Sequence, residues 1–173
     1  MSDLIAFLRP LYQELDGVSR LDTVERLGAI ARRLAPPSRE LELLIFFHPL
    51  GNWLEKVGNL SRAVLTLRGV TADELRQTAR SIRRLAAPES AAERAVAAAV
   101  LIDNAGARGL AERMARARRE GTSIAGIARE SLDDAPRPEW LDEQSAAWLR
   151  MRYDARVRVA NAVLAELELS DLG

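Results

Sequence analysis

The segment Leu41–Trp53, LELLIFFHPLGNW, joins a strongly apolar run to His48, the only histidine of the chain, and then to Pro49. Proline lacks a backbone N–H and is well tolerated in the first turn of a helix. The segment therefore predicts an apolar helix that ends at His48 and a second helix that begins directly after it. Gly51 is expected to keep the backbone close at this junction.

Outside this segment, apolar residues recur at helical spacing almost everywhere, as at Val24, Leu27 and Ile30, and no stretch alternates with period two over a useful length. The predicted fold class is therefore all-α, a bundle of about seven to nine helices that forms a single domain over residues 1–173. The predicted helices cover about 3–15, 22–35, 39–47, 50–67, 72–86, 91–104, 107–119, 123–131 and 140–168.

Two helix starts are marked by pairs of residues with capping-box spacing. Thr71 precedes Glu74 by three residues, and Ser90 precedes Glu93 by the same interval. In a capping box each side chain of the pair satisfies a backbone N–H that has no partner within the helix. Helices are accordingly predicted to begin at both places.

The long C-terminal helix has an apolar stripe that is predicted to face the core. Two bulky residues, Trp148 and Tyr153, stand among many charges on this helix, and they predict a homodimer or another partner that binds through helix packing. The predicted core stripe is formed by Leu141, Trp148, Met151, Ala155, Val159 and Val163.

Composition excludes several classes of function. Lys and Arg number 25, as do Asp and Glu, so the net charge gives no general attraction to nucleic acid or to an anionic membrane. The chain has no cysteine, which is typical of a protein in a reducing compartment, and a cytoplasmic location is expected. The longest apolar run, 95–102, is much shorter than the ~20 residues of a membrane span, so no membrane association is expected.

The segment LELLIFFHPLGNW resembles the part of HD-domain phosphohydrolases in which an apolar helix runs into a His-Asp pair. The resemblance extends over most of the chain and implies the helical fold of the short bacterial members. The similar segments are LDTVERLGAIARRLA (21–35), ADELRQTARSIRRLAAPES (72–90), LIDNAGARGLAERMARA (101–117) and LDEQSAAWLRMRYDARVRVANAVLAELEL (141–169).

The resemblance also implies where the metal ligands of that family would fall. The His-Asp pair falls on His48 and Pro49, the first ligand histidine at or beside Thr23, and the final ligand aspartate on Val100. An additional ligand histidine of some members falls on Leu85. Only His48 retains a ligand side chain, and one histidine without any cysteine is a poor set for a transition metal. We therefore expect no metal and no other cofactor.

The resemblance further implies that Asp103 falls on an acidic residue that many HD-domain proteins carry one helical turn after the ligand position at Val100. It is a candidate partner of His48, because a nearby carboxylate raises the pKa of an imidazole and orients it as a general acid or base. The alternative is that Asp103 caps a turn before Gly106 while a backbone carbonyl satisfies the ring of His48.

The expected ligand pocket comprises Thr23, His48, Asn52, Lys56, Leu85, Val100 and Asp103. Lys56 is the only lysine of the chain and could contact an anion, although a solvated helix face is the commoner role of such a residue. Nucleic-acid binding is not expected, since the arginine cluster of 113–119 lies in the last turns of a helix and has no interleaved aromatic residues.

Two functions remain open from the sequence. The first is a pseudoenzyme that resembles the HD-domain proteins, lacks their metal site, and binds a small molecule, a nucleotide or a protein partner. The alternative is an enzyme, either one that uses His48 as a metal-independent acid or base, with Asp103, or a divergent phosphohydrolase.

Overall fold

The computed structural model describes residues 2–13, 20–133 and 137–170. Throughout these ranges the regular structure is helical and no strand is present, which confirms the all-α class. The helices are α1 (Ser2–Gln13), α2 (Arg20–Leu34), α3 (Arg39–Phe47), a 3-10 helix (His48–Leu50), α4 (Gly51–Lys56), α5 (Asn59–Leu67), α6 (Ala72–Arg83), α7 (Ala91–Ala105), α8 (Ala107–Glu120), α9 (Ile124–Glu130) and α10 (Glu143–Ser170).

The chain divides into two compact units, Met1–Ala99 (unit 1) and Val100–Gly173 (unit 2). The boundary lies inside α7. The two units are distinguished by their internal contacts, whereas a domain is a part of the chain that folds on its own. The single domain expected from the sequence therefore stays a prediction.

Helix α3 forms the centre of unit 1, packed against α2 and α6. Leu41 and all five residues from Leu43 to Phe47 are buried, so the C-terminal half of the helix is apolar on every side, which is typical of a helix inside a core. Helix α1 is tied to it by the buried hydroxyl of Tyr12, which donates a hydrogen bond to the carbonyl of Phe46 at 2.8 Å.

Both predicted capping boxes are present. The amide of Glu74 donates to Thr71 Oγ1 at 3.1 Å, and the amide of Thr71 donates to the Glu74 carboxylate at 2.7 Å. The amide of Glu93 donates to Ser90 Oγ at 3.1 Å, and the amide of Ser90 donates to the Glu93 carboxylate at 3.2 Å. Helices α6 and α7 therefore begin where the sequence predicts.

The single helix predicted over 50–67 is wrong, because α4 ends at Lys56 and α5 begins at Asn59. Val57 and Gly58 have extended ψ angles of 120° and 170°, which interrupt the helical hydrogen bonds. Val57 buries its side chain in unit 1, and Gly58 takes the N-cap position of α5. This burial is a tertiary effect that the helical periodicity of the segment does not show.

In unit 2, helices α8, α9 and α10 pack against one another around Leu110, Ala128 and Ala160. Asp142 caps the start of α10, where its Oδ1 accepts a hydrogen bond from the amide of Ser145 at 2.8 Å. These contacts join the three helices into the core of the unit.

The predicted core stripe of α10 is wrong in its middle. Met151 and Val159 are 60% and 38% exposed, while Leu149, Arg156 and Ala160 are buried. The inward face holds a charged residue, which a search for apolar spacing does not place in a core. The Arg156 guanidinium is accommodated because Nη2 donates to the Asp133 carbonyl at 2.9 Å.

None of the helices within 2–13, 20–133 and 137–170 has the length and apolarity of a membrane span.

Candidate functional site

His48 lies at the junction that the sequence predicts. Its amide closes α3 by donating to the carbonyl of Leu44, and His48–Leu50 form one 3-10 turn before α4 begins at Gly51. A Cβ on Gly51 would lie 3.2 Å from the Cγ2 of Ile82 in α6. The glycine thus permits the close approach of α4 to α6 that holds this turn in place.

The imidazole of His48 is largely shielded from water. Its Nδ1 is buried and has no hydrogen-bond partner in the part of the chain that the structure describes, so the backbone carbonyl expected for the ring is not found at this atom. Burial lowers the pKa of His48 below its ordinary value of 6.5. The neutral imidazole is therefore favoured at pH 7.

The residues expected to line a pocket with His48 are distributed over several helices. Thr23 is half-buried on α2, Asn52 and Lys56 are exposed on α4, and Leu85 is half-buried after the end of α6. The exposure of Lys56 agrees with a solvated helix face. None of these residues lines either of the two cavities described below.

Val100 and Asp103 are half-buried on the part of α7 that belongs to unit 2. The pairing of Asp103 with His48 joins residues of different units and stays a prediction. Within the described ranges, no group of three or more His, Asp or Glu side chains could hold a metal ion.

A cavity of about 390 Å³ in unit 1 has a different chemistry from the expected pocket. Its charged lining residues are Arg62, Arg76, Arg80, Arg83 and Glu55, and its apolar lining residues are Leu54, Val57, Ala72, Leu75 and Ala79. The cavity therefore combines a cationic rim with an apolar floor.

Helix α6 supplies three of the four arginines of this rim. Arg76, Arg80 and Arg83 follow one another at intervals of four and three residues, which places them on one face of the helix. Arg62 joins them from α5. The regular spacing on α6 is a signal that the sequence contains, whereas the addition of Arg62 depends on the packing of α5.

Acidic residues neutralise only part of this positive charge. Arg83 pairs with Glu55 at 3.4 Å, and Arg76 pairs with Asp73 on its own helix. Arg62 and Arg80 have no ion-pair partner among the residues that the structure describes. Two guanidinium groups therefore remain available to an anion from solution.

Unit 1 also contains a buried carboxylate whose role is structural. The side chain of Glu93 is fully buried, and Arg84 Nη2 donates to its Oε1 at 2.5 Å. The amides of Glu89 and Ser90 donate to its Oε2 at 2.8 and 3.2 Å. These donors occupy the carboxylate and fix the start of α7 beside the end of α6.

The donors also decide the protonation state of Glu93. Burial by itself raises the pKa of its carboxyl. The hydrogen bond from Arg84 and those from the two backbone amides outweigh burial and lower the pKa to about 2. Glu93 is therefore a permanent anion at neutral pH and not a proton donor.

Comparison of the chain with models of known protein families, with functionally characterised proteins and with solved structures finds no match. The resemblance to HD-domain phosphohydrolases accordingly stays a prediction.

Proposed function

We propose that this protein is a binding protein, and that its ligand is a small phosphate-bearing molecule held in the arginine-lined cavity of unit 1. The observation that carries the proposal is the pair Arg62 and Arg80. These two guanidinium groups border one cavity and lack an ion-pair partner in the described chain.

Phosphate is the anion that this rim suits best. A guanidinium presents several N–H donors in a planar fork, which matches two oxygens of a phosphate at once. Arginines from two helices border the cavity, so a phosphate could be approached from more than one side. A single carboxylate of a ligand would use only part of this donor set.

The rest of the ligand is expected to be apolar or aromatic. The floor is formed by aliphatic side chains, of which Leu54, Val57 and Leu75 are buried. The cavity volume of about 390 Å³ is within the ~300–1,000 Å³ of ordinary small-molecule sites. A nucleotide, with a base for the floor and phosphates for the rim, has the required chemistry.

This proposal keeps the ligand-binding pseudoenzyme that the HD-domain resemblance implies. It places the ligand in the arginine-lined cavity and not in the pocket expected around His48. If the resemblance holds, only His48 among the ligand positions of that family keeps a ligand side chain. His48 does not line the arginine cavity. Binding is therefore proposed to depend on Arg62 and Arg80, and to be independent of the protonation of His48.

Isothermal titration calorimetry with inorganic phosphate, ATP and adenosine tests the proposal. ATP is expected to bind more tightly than phosphate, and adenosine is expected to bind weakly or not at all, because only ATP contacts both rim and floor. Arg62→Gln and Arg80→Gln should each weaken ATP binding about tenfold, the scale of one charge-assisted hydrogen bond.

Arg33→Gln is the matched control, because Arg33 is an exposed arginine of the same unit that does not line the cavity. It should leave the affinity for ATP unchanged. Absence of binding by any phosphate-bearing compound, or equal losses in all three variants, would overturn the proposal.

One observation favours a second function, a metal-independent reaction at His48. A neutral imidazole is in the protonation state that a general base requires, and the Nδ1 of His48 has no hydrogen-bond partner among the described residues. If His48 acts in this way, His48→Gln would abolish turnover of a substrate while leaving the affinity for ATP at the arginine cavity intact.

A further inference from the structure

We infer that unit 2 self-associates through an apolar groove on α10, with the α10 helix of a second copy packed antiparallel against it and a two-fold axis beside Ala162. The groove has a volume of about 570 Å³. Its apolar surface includes Ala155, Val159, Ala162 and Val163. Val159 is 38% exposed, so an apolar surface on this helix faces solvent in the single chain.

Arg158 and Glu166 are the only charged residues among those that line this groove. They are eight residues apart on one helix, which is about 12 Å at 1.5 Å per residue, and this separation is too long for them to pair with each other. Neither has an ion-pair partner in the part of the chain that the structure describes. Opposite charges therefore stand at the two ends of an apolar surface.

The positions of these charges match a two-fold symmetric partner. Arg158 lies four residues before Ala162 and Glu166 lies four residues after it. Four residues turn a helix by a full turn and about 40° more, so the two side chains lie on opposite sides of Ala162. A two-fold axis that lies in the plane of contact and runs perpendicular to the line from Arg158 through Ala162 to Glu166 reverses this line. It brings Arg158 of one copy onto Glu166 of the other, with the two antiparallel helices crossing at about 50° as their i±4 rows pack together.

The same geometry favours a second copy of this chain, and not a different protein, as the occupant of the groove. The antiparallel pair forms the Arg158–Glu166 contact twice, whereas a parallel pair would place Arg158 against Arg158. The alanine at the centre has a short side chain, which allows two helices to approach closely. The surface is thus complementary to itself in both charge and shape, as a two-fold interface requires.

This surface differs from the one predicted from the sequence. The sequence predicts a homodimer or another partner bound through Trp148 and Tyr153, but the Tyr153 hydroxyl donates to the carbonyl of Leu132 within unit 2. The Arg156 guanidinium also stacks on the Tyr153 ring, 4.7 Å from its centroid. Tyr153 is therefore engaged in its own unit, and the apolar surface open to a partner lies further along α10.

Sedimentation equilibrium on the full chain over a wide concentration range tests the inference. The chain is expected to show a reversible monomer–dimer equilibrium. Arg158→Glu and Glu166→Arg each place like charges opposite one another, and each should weaken the dimer by at least about tenfold. The double variant with both reversals restores opposite charges and should dimerise as the parent chain does.

Arg150→Glu, an exposed reversal on α10 outside the groove, is the matched control and should have little effect on the dimer.

Disulfide trapping gives an independent measurement, because the chain has no cysteine of its own. Ala162→Cys places one thiol at the two-fold axis and should yield a covalent dimer on oxidation. Ala147→Cys, exposed on α10 but about four turns from the axis, should not. The inference is overturned by a chain that remains monomeric at every concentration, by a double reversal as weak as the single ones, or by equal cross-linking of the two cysteine variants.

Discussion

Burial has opposite outcomes for the charge of two residues of unit 1, the half-buried His48 and the fully buried Glu93. His48 lies at a turn where its Nδ1 finds no partner in the described chain, so burial favours the neutral imidazole. Glu93 is surrounded by donors and keeps its charge despite complete burial. The difference follows from hydrogen bonding, because a buried charge is stable only where donors replace the water that it loses.

The pH dependence of stability should report the state of His48. Its pKa is lower in the folded state than in the unfolded state, so the unfolded chain binds the proton more tightly. The free energy of unfolding should therefore fall as the pH drops through about 6.5, the pKa of the unfolded chain, and should go on falling until the lower folded pKa is reached, by up to ~1.4 kcal/mol per pH unit. His48→Gln cannot titrate and should flatten this part of the curve, as measured by urea unfolding at each pH.

Because His48 is the only histidine, no other imidazole contributes in this range. A parent chain that becomes more stable on acidification would show that the pKa is raised. That outcome would contradict the effect of burial and would support the predicted partnership with Asp103, which Asp103→Asn would then remove.

At the scale of helices, the two capping boxes are expected to contribute differently to the free energy of unfolding, because one is exposed to solvent and the other is buried. Both have the same four hydrogen-bonding groups and the same spacing. Glu74 remains partly exposed, and its carboxylate also pairs with Arg39 at 2.9 Å. Glu93 is fully buried and joins the end of α6 to the start of α7 through Arg84. Water can replace the donors of Glu74 but not those of Glu93.

Replacing each of these glutamates by glutamine should separate the two cases. Glu93→Gln removes a buried charge from its donors and should lower the free energy of unfolding by about 2–3 kcal/mol. Glu74→Gln makes the same change in a solvated cap and should cost about 0.5–1 kcal/mol. Chemical unfolding of the two variants in parallel measures the difference. Equal losses would mean that burial adds nothing to the Glu93 cap.

At the scale of the whole molecule, acidic groups with a lowered pKa are unevenly distributed. Among the described residues, the carboxyls with a lowered pKa belong to Glu42, Glu74 and Glu93, and all three lie in unit 1. The main causes of lowering are Arg32 for Glu42 and Arg39 for Glu74. These ion pairs link α2 to α3, and the N-terminus of α3 to the N-terminus of α6.

Unit 1 should therefore lose structure before unit 2 on acidification. A carboxyl with a lowered pKa stabilises the folded state above its unfolded value of about 4.5, and this contribution disappears as the pH falls towards the folded value. The loss should be about 1–3 kcal/mol and should come mostly from Glu93, because the partly exposed pairs contribute little.

Tryptophan fluorescence can follow the units separately. Trp53 lies in unit 1, whereas Trp140 and Trp148 lie in unit 2. A Trp140→Phe/Trp148→Phe variant reports on unit 1, and Trp53→Phe reports on unit 2. The transition of Trp53 should occur at the higher pH. Coincident transitions would show that the two units unfold together and would favour the single domain predicted from the sequence.

What the sequence by itself determined are the features that depend on neighbours within one helical turn. The all-α class, both capping boxes and the His48-Pro49 junction follow from hydrogen bonds and steric limits between residues a few positions apart. A short-range rule is sufficient for each of these features, since the partner of every group lies in the same stretch of chain.

What only the tertiary structure decided are the features whose energy comes from distant residues. At Val57 the chain leaves the predicted helix with an extended ψ of 120° while the side chain packs into unit 1, and Arg156 occupies a core position where the Asp133 carbonyl accepts its hydrogen bond. Arg62 reaches the α6 arginines only through the packing of α5. Burial and the pairing of charges depend on which helices meet in space, and helical spacing along the chain does not contain that information.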